Sequence, residues 1–220
     1  MEALIVSGGH LEDAFLLSYL QNHKCDLVIA VDSGMNFFYR TGQTPDYIVG
    51  DFDSAAPDVL QSFTVQSQIN KKKPVILQFQ PEKDETDTEL AIRTAIEQGC
   101  SRIHLLGATG SRMDHVMGNI HLLGMAMKQG VECLMTDEHN RIRMIQKGIV
   151  IQRKEQYGDY ISLFPFTPQV KGLTLTGFKY PLDGYSLECY HSLGVSNEIT
   201  GEQAEISFEE GVLLVMESKD

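Results

Sequence analysis

The sequence predicts an α/β domain with a mostly parallel sheet, followed by an all-β sandwich. Up to residue 137, short apolar runs alternate with amphipathic stretches that have a helical period. After residue 140 the helical period disappears, and short alternating runs separated by turn residues replace it. Alternating strands and helices are typical of βαβ units and a parallel sheet, whereas many short strands are typical of a sandwich. We therefore place the two domains at residues 1–137 and 138–220.

Six apolar runs are the strand candidates of the first domain. Helical patterns lie between them, as in the segment that begins at Asp87, where Leu90 and Thr94 fall on one helix face. The strand candidates are Ala3–Val6, Leu27–Val31, Tyr47–Val49, Val75–Phe79, Ile103–Leu106 and Glu132–Met135.

Seven short runs are the strand candidates of the second domain. Turn residues such as Lys147-Gly148 and Asp183-Gly184 separate them. The runs are 141–145, 149–153, 160–164, 173–176, 187–189, 205–208 and 212–217. This density of short strands predicts an antiparallel sandwich or small barrel.

The charge balance and the cysteines exclude several classes of protein. With 30 acidic and 18 basic residues the net charge is −12, so little of the surface could neutralise a nucleic-acid backbone or an anionic membrane. No apolar run approaches the ~20 residues of a membrane helix, and the N-terminal segment is too short and too acidic for a signal peptide. The four cysteines are widely spaced and form no C-x-x-C pair. We expect a cytoplasmic protein that binds neither nucleic acid nor membrane.

Each conspicuous polar or glycine cluster of the first domain follows a strand candidate. Ligands of open parallel sheets bind beyond the carboxyl ends of the strands, so these clusters are expected to share one edge. The clusters are Ser7-Gly8-Gly9, Asp32-Ser33-Gly34, Gly50-Asp51-Phe52-Asp53, the segment 84–87 and the segment 107–114.

Asp51 and Asp53 are the sharpest signal of a metal site. In an extended segment alternate side chains share one side, so both carboxylates are expected to project together, with Phe52 opposite. Two carboxylates this close repel each other unless a cation lies between them. A second acidic segment, K-D-E-T-D from Lys83 to Asp87, follows the next strand candidate, and the two segments together indicate a Mg²⁺ site that handles phosphate. Helix capping is the alternative for Asp53, with Ser54 and Pro57 opening the next helix, and for Asp87 or Thr86, but it leaves Asp51 unexplained.

Glycine turns and an arginine predict a site for phosphate groups. The glycines of the 107–114 segment suit an anion-binding nest, and Arg112 can donate two hydrogen bonds to a phosphate. Gly8 suits a phosphate loop or only a tight turn, and Asp32 could be an ordinary helix cap. Carboxylates, glycine turns and an arginine together are typical of enzymes that transfer phosphoryl groups of a nucleotide. The predicted nucleotide contacts are Ser7, Gly8, Asp32, Ser33, Gly34, Thr109, Gly110, Arg112 and Asp114.

Five segments, in order, resemble the thiamine pyrophosphokinase family. They are D-S-G (32–34), P-D-Y-I-V-G-D-F-D-S (45–54), K-D-E-T-D-T-E-L-A (83–91), G-A-T-G-S-R-M-D-H (107–115) and S-N (196–197). The resemblance implies an α/β N-terminal domain, a β-sandwich C-terminal domain and a homodimer with active sites between subunits. It also implies transfer of the pyrophosphoryl group of ATP to thiamine, with release of AMP.

The resemblance also implies roles for individual residues. Asp51, Asp53 and one or both of Asp84 and Asp87 match the Mg²⁺-binding and catalytic positions. Nucleotide and thiamine contacts are implied at Arg112 and Asp114, and substrate contacts at Asp114, Asn119, Ser196 and Asn197. The chain departs from the family pattern at Ser111, where many members have a second glycine, and in having no tryptophan.

Two other functions remain open from the residues alone. A metal-dependent nucleotide-sugar transferase also uses an Asp-x-Asp pair after a strand to hold a metal diphosphate. A non-catalytic nucleotide sensor could bind with the same glycine turns, although it has little reason to gather carboxylates beside a polyanion. No G-x-x-x-x-G-K-[ST] motif occurs, so the chain is not a P-loop kinase.

Overall fold

The structure is a computed structural model, and its description comprises residues 1–53, 56–70, 74–80 and 82–220. The chain forms two compact units, Met1–Glu138 and His139–Asp220. The division lies one residue after the boundary expected from the change in sequence pattern. The predicted fold class, α/β followed by antiparallel β, is confirmed.

The first unit is built on parallel strands, and the described residues contain all six expected ones. The strands are β1 (Glu2–Val6), β2 (Leu27–Val31), β3 (Tyr47–Gly50), β4 (Val75–Gln78), β5 (Arg102–Leu106) and β6 (Glu132–Thr136). The helices are α1 (Asp13–Asn22), α2 (Met35–Thr41), α3 (Pro57–Asn70), α4 (Asp87–Glu97) and α5 (Met113–Lys128), with a short 3₁₀ turn at Asp32–Gly34.

The order of the strands shows where a ligand-binding crevice is expected in the sheet. They lie in the order β4-β3-β2-β1-β5-β6, and all the neighbouring pairs are parallel. The direction of winding reverses at β1, because the chain first adds β2, β3 and β4 on one side and then β5 on the other. Such a switch point leaves a crevice beyond the carboxyl ends of the strands.

The central strands are apolar because both faces of the sheet are covered. Leu4 and Ile5 of β1 are fully buried, and so are their neighbours Ile29 and Leu105. Parallel strands buried on both faces have continuous hydrophobic sequences rather than alternating ones. This explains why short apolar runs were sufficient to locate them.

The second unit, whose residues are all described, is a sandwich of two antiparallel sheets. One sheet has the order β7-β13-β9 and the other β11-β10-β12-β8. The two sheets share one apolar core, to which Leu163, Leu175 and Val215 contribute. The strands are β7 (Asn140–Ile145), β8 (Ile149–Gln152), β9 (Tyr160–Pro165), β10 (Gln169–Thr176), β11 (Leu182–Glu188), β12 (Gln203–Ser207) and β13 (Leu213–Ser218).

The turn expected at Asp183-Gly184 is wrong, because both residues lie inside β11. Gly184 has φ +57 and its N–H donates to the Thr174 hydroxyl. The pairing of β10 with β11 shifts register nearby, between Leu173 and Leu175. A glycine inside a strand often marks such an irregularity, and the short-range pattern did not distinguish it from a turn.

Glu217 forms the principal polar network of the second unit. Its side chain is 0% exposed and accepts hydrogen bonds from Arg141 (2.7 Å), Arg143 (2.7 Å) and the Tyr157 backbone N–H (2.9 Å). These donors compensate for burying a carboxylate away from water. Removing one partner of such a network leaves the others buried and uncompensated.

None of the described helices in either unit is long and apolar enough to cross a membrane.

We expect Glu217→Gln to lower the free energy of unfolding of the second unit by about 3 kcal/mol, because two guanidinium groups lose their counter-charge. Urea denaturation followed by circular dichroism measures the loss. The control is Glu210→Gln, because Glu210 forms an exposed pair with Lys171 (2.8 Å). Glu210→Gln is expected to change the free energy of unfolding by less than about 0.5 kcal/mol. Equal losses in both variants would contradict the importance of the buried network.

Candidate active site

Three aspartates converge at the carboxyl edge of the parallel sheet. One carboxylate oxygen from each of Asp32, Asp51 and Asp87 lies within 4.8 Å of the other two. Asp32 follows β2, Asp51 follows β3, and Asp87 begins α4 after β4, so three adjacent strands supply the three carboxylates. Among the residues with described positions, no second group of three such side chains comes this close.

Unusual backbone conformations position two of the loops. Asp32 has φ +46 and Phe52, which is buried, has φ +64. Left-handed conformations are costly for residues other than glycine and are concentrated at functional sites. Gly50 is required here for another reason: a Cβ at this position would lie 2.0 Å from Asp32 Oδ1.

The expectation that Asp51 and Asp53 project to the same side rests on a backbone conformation that the structure contradicts. It assumed an extended segment, but β3 ends at Gly50 and the left-handed Phe52 turns the chain. The Asp53 backbone N–H donates to Asp51 Oδ1 (3.1 Å), and the Asp53 side chain is exposed. Asp53 and the exposed Asp84 both lie outside the cluster, and their roles as metal ligands stay predictions. Ser54, also named in the capping alternative, lies outside the described residues.

Helix capping and the acidic cluster use different residues at the start of α4. Thr86 is the cap, since its Oγ1 accepts a hydrogen bond from the Glu89 backbone N–H (3.2 Å). The Asp87 carboxylate is therefore not needed as the helix cap and belongs to the acidic cluster. Its Oδ1 pairs with Lys83 Nζ at 2.5 Å, and the side chains of Lys83 and Asp87 are only 13% and 16% exposed.

The electrostatics of the cluster fit a divalent cation. The pKa of the Asp32 carboxyl is raised to about 7, first by burial and then by the Asp87 and Asp51 charges and a hydrogen bond with Asp87, while the Lys83 charge opposes the increase. Asp32 Oδ1 is buried and has no hydrogen-bond partner among the described residues. An unpartnered buried oxygen beside two further carboxylates is a suitable donor set for a hard cation such as Mg²⁺.

The glycine loops after β1 and β5 pair with each other. The Gly9 backbone N–H donates to Gly107 O (2.7 Å) and the His10 N–H to Thr109 O (2.9 Å). A Cβ on Gly9 would lie 2.2 Å from Thr109 O, so this close approach requires glycine. The amide groups of Gly9 and His10 thus already have protein acceptors.

Most of the other predicted nucleotide contacts meet at the ends of β1 and β2. The Ser33 hydroxyl donates to Gly8 O (3.4 Å), and a Cβ on Gly34 would lie 2.1 Å from Val6 O. The buried Ser7 hydroxyl contacts the Thr88 hydroxyl at 3.1 Å. The structure therefore brings Ser7, Gly8, Ser33 and Gly34 together beside the aspartate cluster's Asp32.

Arg112 and Asp114 form an exposed pair at the start of α5. Arg112 donates to both carboxylate oxygens, at 3.2 and 2.5 Å. These hydrogen bonds lower the pKa of Asp114 to about 2. The Asn119 side chain donates to Ala108 O (2.8 Å) and so anchors the loop that contains Thr109 and Gly110.

The two predicted site residues of the second unit have structural contacts. Ser196 has φ +56 and its N–H donates to the Ser162 hydroxyl (3.0 Å). Asn197 is 4% exposed, and its side chain accepts from the Tyr180 and Glu198 N–H groups and donates to Tyr180 O. Its amide holds the segment around Tyr180. Contact of either residue with thiamine stays a prediction.

Sequence reasoning missed two features of the site. Asp32 was expected to contact a nucleotide, and its place among the clustered carboxylates was not foreseen. Lys83 was not singled out, although its i,i+4 spacing to Asp87 was a usable signal. The approach of Asp32 to Asp51 depends on β2 lying beside β3, which no local pattern reveals.

Carboxylates at the carboxyl edge of an open parallel sheet are typical of enzymes that handle phosphate groups with a divalent cation. Two family models narrow this class: "Thiamin pyrophosphokinase, catalytic domain" matches residues 19–135, and "Thiamin pyrophosphokinase, vitamin B1 binding domain" matches residues 148–213. The chain belongs to the thiamin pyrophosphokinase family, and the resemblance seen in its motifs is confirmed.

Relatives and solved structures agree with this assignment. A thiamine pyrophosphokinase of Bacillus subtilis (strain 168) is 35% identical over 205 residues, which are 93% of this chain and 92% of that protein. The crystal structure of the Bacillus subtilis thiamine pyrophosphokinase has a TM-score of 0.87 at 32% identity and covers 100% of both chains. That of thiamin pyrophosphokinase from Geobacillus thermodenitrificans has a TM-score of 0.82 at 31% identity, over 100% of this chain and 98% of that one.

We expect the stability of the metal-free protein to fall as pH rises from about 4 to about 7. The folded chain holds the Asp32 proton up to about pH 7, whereas an unfolded chain releases it near 3.8. The folded state therefore binds more protons in this window, and its advantage is lost as the pH rises. Urea denaturation at several pH values in the presence of a chelator measures the slope.

Asp32→Asn is expected to flatten this slope, because an amide does not titrate. The control Asp58→Asn, in the exposed first turn of α3, is expected to keep it. Parallel pH profiles for the wild type and Asp32→Asn would contradict the raised pKa.

Proposed function

We propose that the chain transfers the pyrophosphoryl group of ATP to the hydroxyl of thiamine, giving thiamine diphosphate and AMP. The observation that carries the proposal is the cluster of Asp32, Asp51 and Asp87 within the segment matched by the catalytic-domain model. In the reaction a bond forms between the thiamine oxygen and the β-phosphorus, and the bond from that phosphorus to the oxygen of AMP breaks. The acceptor gives up its hydroxyl proton.

We propose residues 1–137 as the nucleotide and Mg²⁺ domain. The loops after β1 and β5 flank the switch point of the sheet, where nucleotides bind in open α/β folds. This supports ATP contacts by Ser7 and Gly8. Ser33 and Gly34 follow β2 and are proposed as contacts because the Ser33 hydroxyl lies against Gly8 O. Thr109, Gly110, Arg112 and Asp114 are proposed contacts from the other loop, and the exposed guanidinium of Arg112 is accessible to a phosphate.

Asp51 and Asp87, with Asp32 beside them, are the proposed ligands of Mg²⁺. When bound, Mg²⁺ would neutralise charge on the phosphate oxygens. Asp53 and Asp84 are also proposed as ligands, on the resemblance of their motifs to the family pattern. A loose transition state needs no strong base; if a base is used, we propose a carboxylate at the metal, with Asp53, Asp84 and Asp87 as the candidates.

We propose residues 138–220 as the thiamine-binding domain, supported by the vitamin B1 binding model that matches residues 148–213. Ser196 and Asn197 are the proposed thiamine contacts of this domain. Asp114 and Asn119 are proposed as substrate contacts on the resemblance of their motif to the family pattern. The family resemblance further supports a cytoplasmic homodimer with active sites between subunits.

Product analysis tests the proposed reaction. Incubation with ATP, Mg²⁺ and thiamine is expected to yield AMP and thiamine diphosphate in equal amounts, identified by chromatography. Formation of ADP or inorganic phosphate, or no turnover with thiamine, would contradict the proposal. Incubation without thiamine is the control and is expected to yield no AMP.

Substitution of single aspartates tests the site. We expect Asp51→Asn and Asp87→Asn each to lower kcat/KM by about a hundredfold or more, because each removes a carboxylate ligand of the Mg²⁺ that neutralises the phosphates. Asp58→Asn, an equal change of charge in the exposed first turn of α3, is expected to stay within about twofold of the wild type. Steady-state assays of AMP release compare the three variants. Near-normal activity of both site variants would contradict the assignment.

A further inference from the structure

We propose that Lys83 is an exchangeable counter-ion, which neutralises Asp87 in the metal-free enzyme and turns to the nucleotide's phosphates when a divalent ion takes that carboxylate. Three features support this: the buried pair of Lys83 with Asp87, the surroundings of the lysine side chain, and the charge balance of the aspartate cluster. The nucleotide half of the inference rests on the proposed function, whereas the metal half does not.

Lys83 contacts the cluster directly. Its Nζ lies 2.5 Å from Asp87 Oδ1, and both side chains are largely buried. Other lysine–carboxylate pairs, such as Lys171 with Glu210, are far more exposed, with side chains 43% and 68% accessible. Solvent screens an exposed pair but leaves a buried one strong, so the ammonium at Asp87 has a marked electrostatic effect on the cluster.

The surroundings of Lys83 allow the ammonium to change partner. Its Nζ lies 5.5 Å from the centre of the Phe79 ring, so one side of the group faces an aromatic surface. Lysine has three donors on a flexible four-carbon side chain and no acceptor, so it can follow whichever anion is nearest. Lys83 also lies four residues before Asp87, the first residue of α4, and is therefore outside the helix.

The charge balance explains why one cation must give way to another. The oxygens of Asp32, Asp51 and Asp87 lie close enough together to bind a single ion, and Asp87 Oδ1 is already engaged by Lys83. A divalent ion at the cluster competes with the ammonium for Asp87 and is repelled by it. A bound nucleotide adds several negative charges, and these offer the displaced ammonium a new partner.

This exchange predicts effects of opposite sign on two ligands. Lys83→Met is expected to bind Mg²⁺ alone about tenfold more tightly than the wild type, because a competing positive charge is removed. The same variant is expected to bind ATP in the presence of Mg²⁺, without thiamine, about tenfold more weakly. A purely structural lysine would weaken both interactions when removed.

Isothermal titration calorimetry of the chelator-treated protein measures both affinities. The matched control Lys171→Met makes the same change in charge and is expected to change neither affinity. Lys83→Arg keeps the charge and is expected to stay within about threefold of the wild type for Mg²⁺. Binding of Mg²⁺ to Lys83→Met that is no tighter than to the wild type would overturn the proposal, as would unchanged binding of ATP.

A measurement on the unmodified protein covers the case in which Lys83→Met does not fold. The NMR signals of the Lys83 side chain are expected to shift when Mg²⁺ is added and again when ATP follows, while those of Lys171 stay unchanged. If the Lys83 signals shift neither with Mg²⁺ nor with ATP, the proposed exchange is overturned. Failure of the proposed function shows itself separately, as absence of thiamine diphosphate among the products.

Discussion

Repulsion among three neighbouring carboxylates is the constraint on which the site depends. Parallel strands end at the same edge of a sheet, and β2, β3 and β4 each lead into one of Asp32, Asp51 and Asp87. In partly buried surroundings this proximity is costly, and burial together with the charges of Asp87 and Asp51 raises the pKa of Asp32. Lys83 relieves part of the cost, and a divalent ion would relieve more.

The rest of the first unit supports this unfavourable arrangement. The left-handed residues Asp32 and Phe52 each cost on the order of 1 to 3 kcal/mol, and such conformations persist only where rigid surroundings enforce them. The fully buried strands supply that rigidity, and Gly50 leaves the space that the Asp32 carboxyl occupies. The stable sheet thus holds the three carboxylates close together, in the arrangement that the proposed phosphate-binding centre requires.

The glycine motifs have a mechanical role as well as the proposed binding role. Gly9 and Gly107 allow the loops after β1 and β5 to approach each other and to share backbone hydrogen bonds. This pairing, together with the Asn119 contact to Ala108 O, holds the loop that carries Arg112. A rigid loop presents an exposed guanidinium at lower entropic cost than a free one.

The sequence by itself determined the strands of the parallel sheet, the two domain types and the edge at which the polar clusters lie, because these follow from local apolar periodicity and from the rule for parallel sheets. Only the tertiary structure decided which carboxylates meet. Alternation placed Asp53 with Asp51 on the assumption of an extended chain, and the left-handed Phe52 removes that assumption. Asp32 joins Asp51 because β2 pairs with β3, a contact between segments distant in sequence. Backbone turns and strand neighbours are set by packing of the whole sheet, and so the membership of the cluster could not be predicted from its motifs.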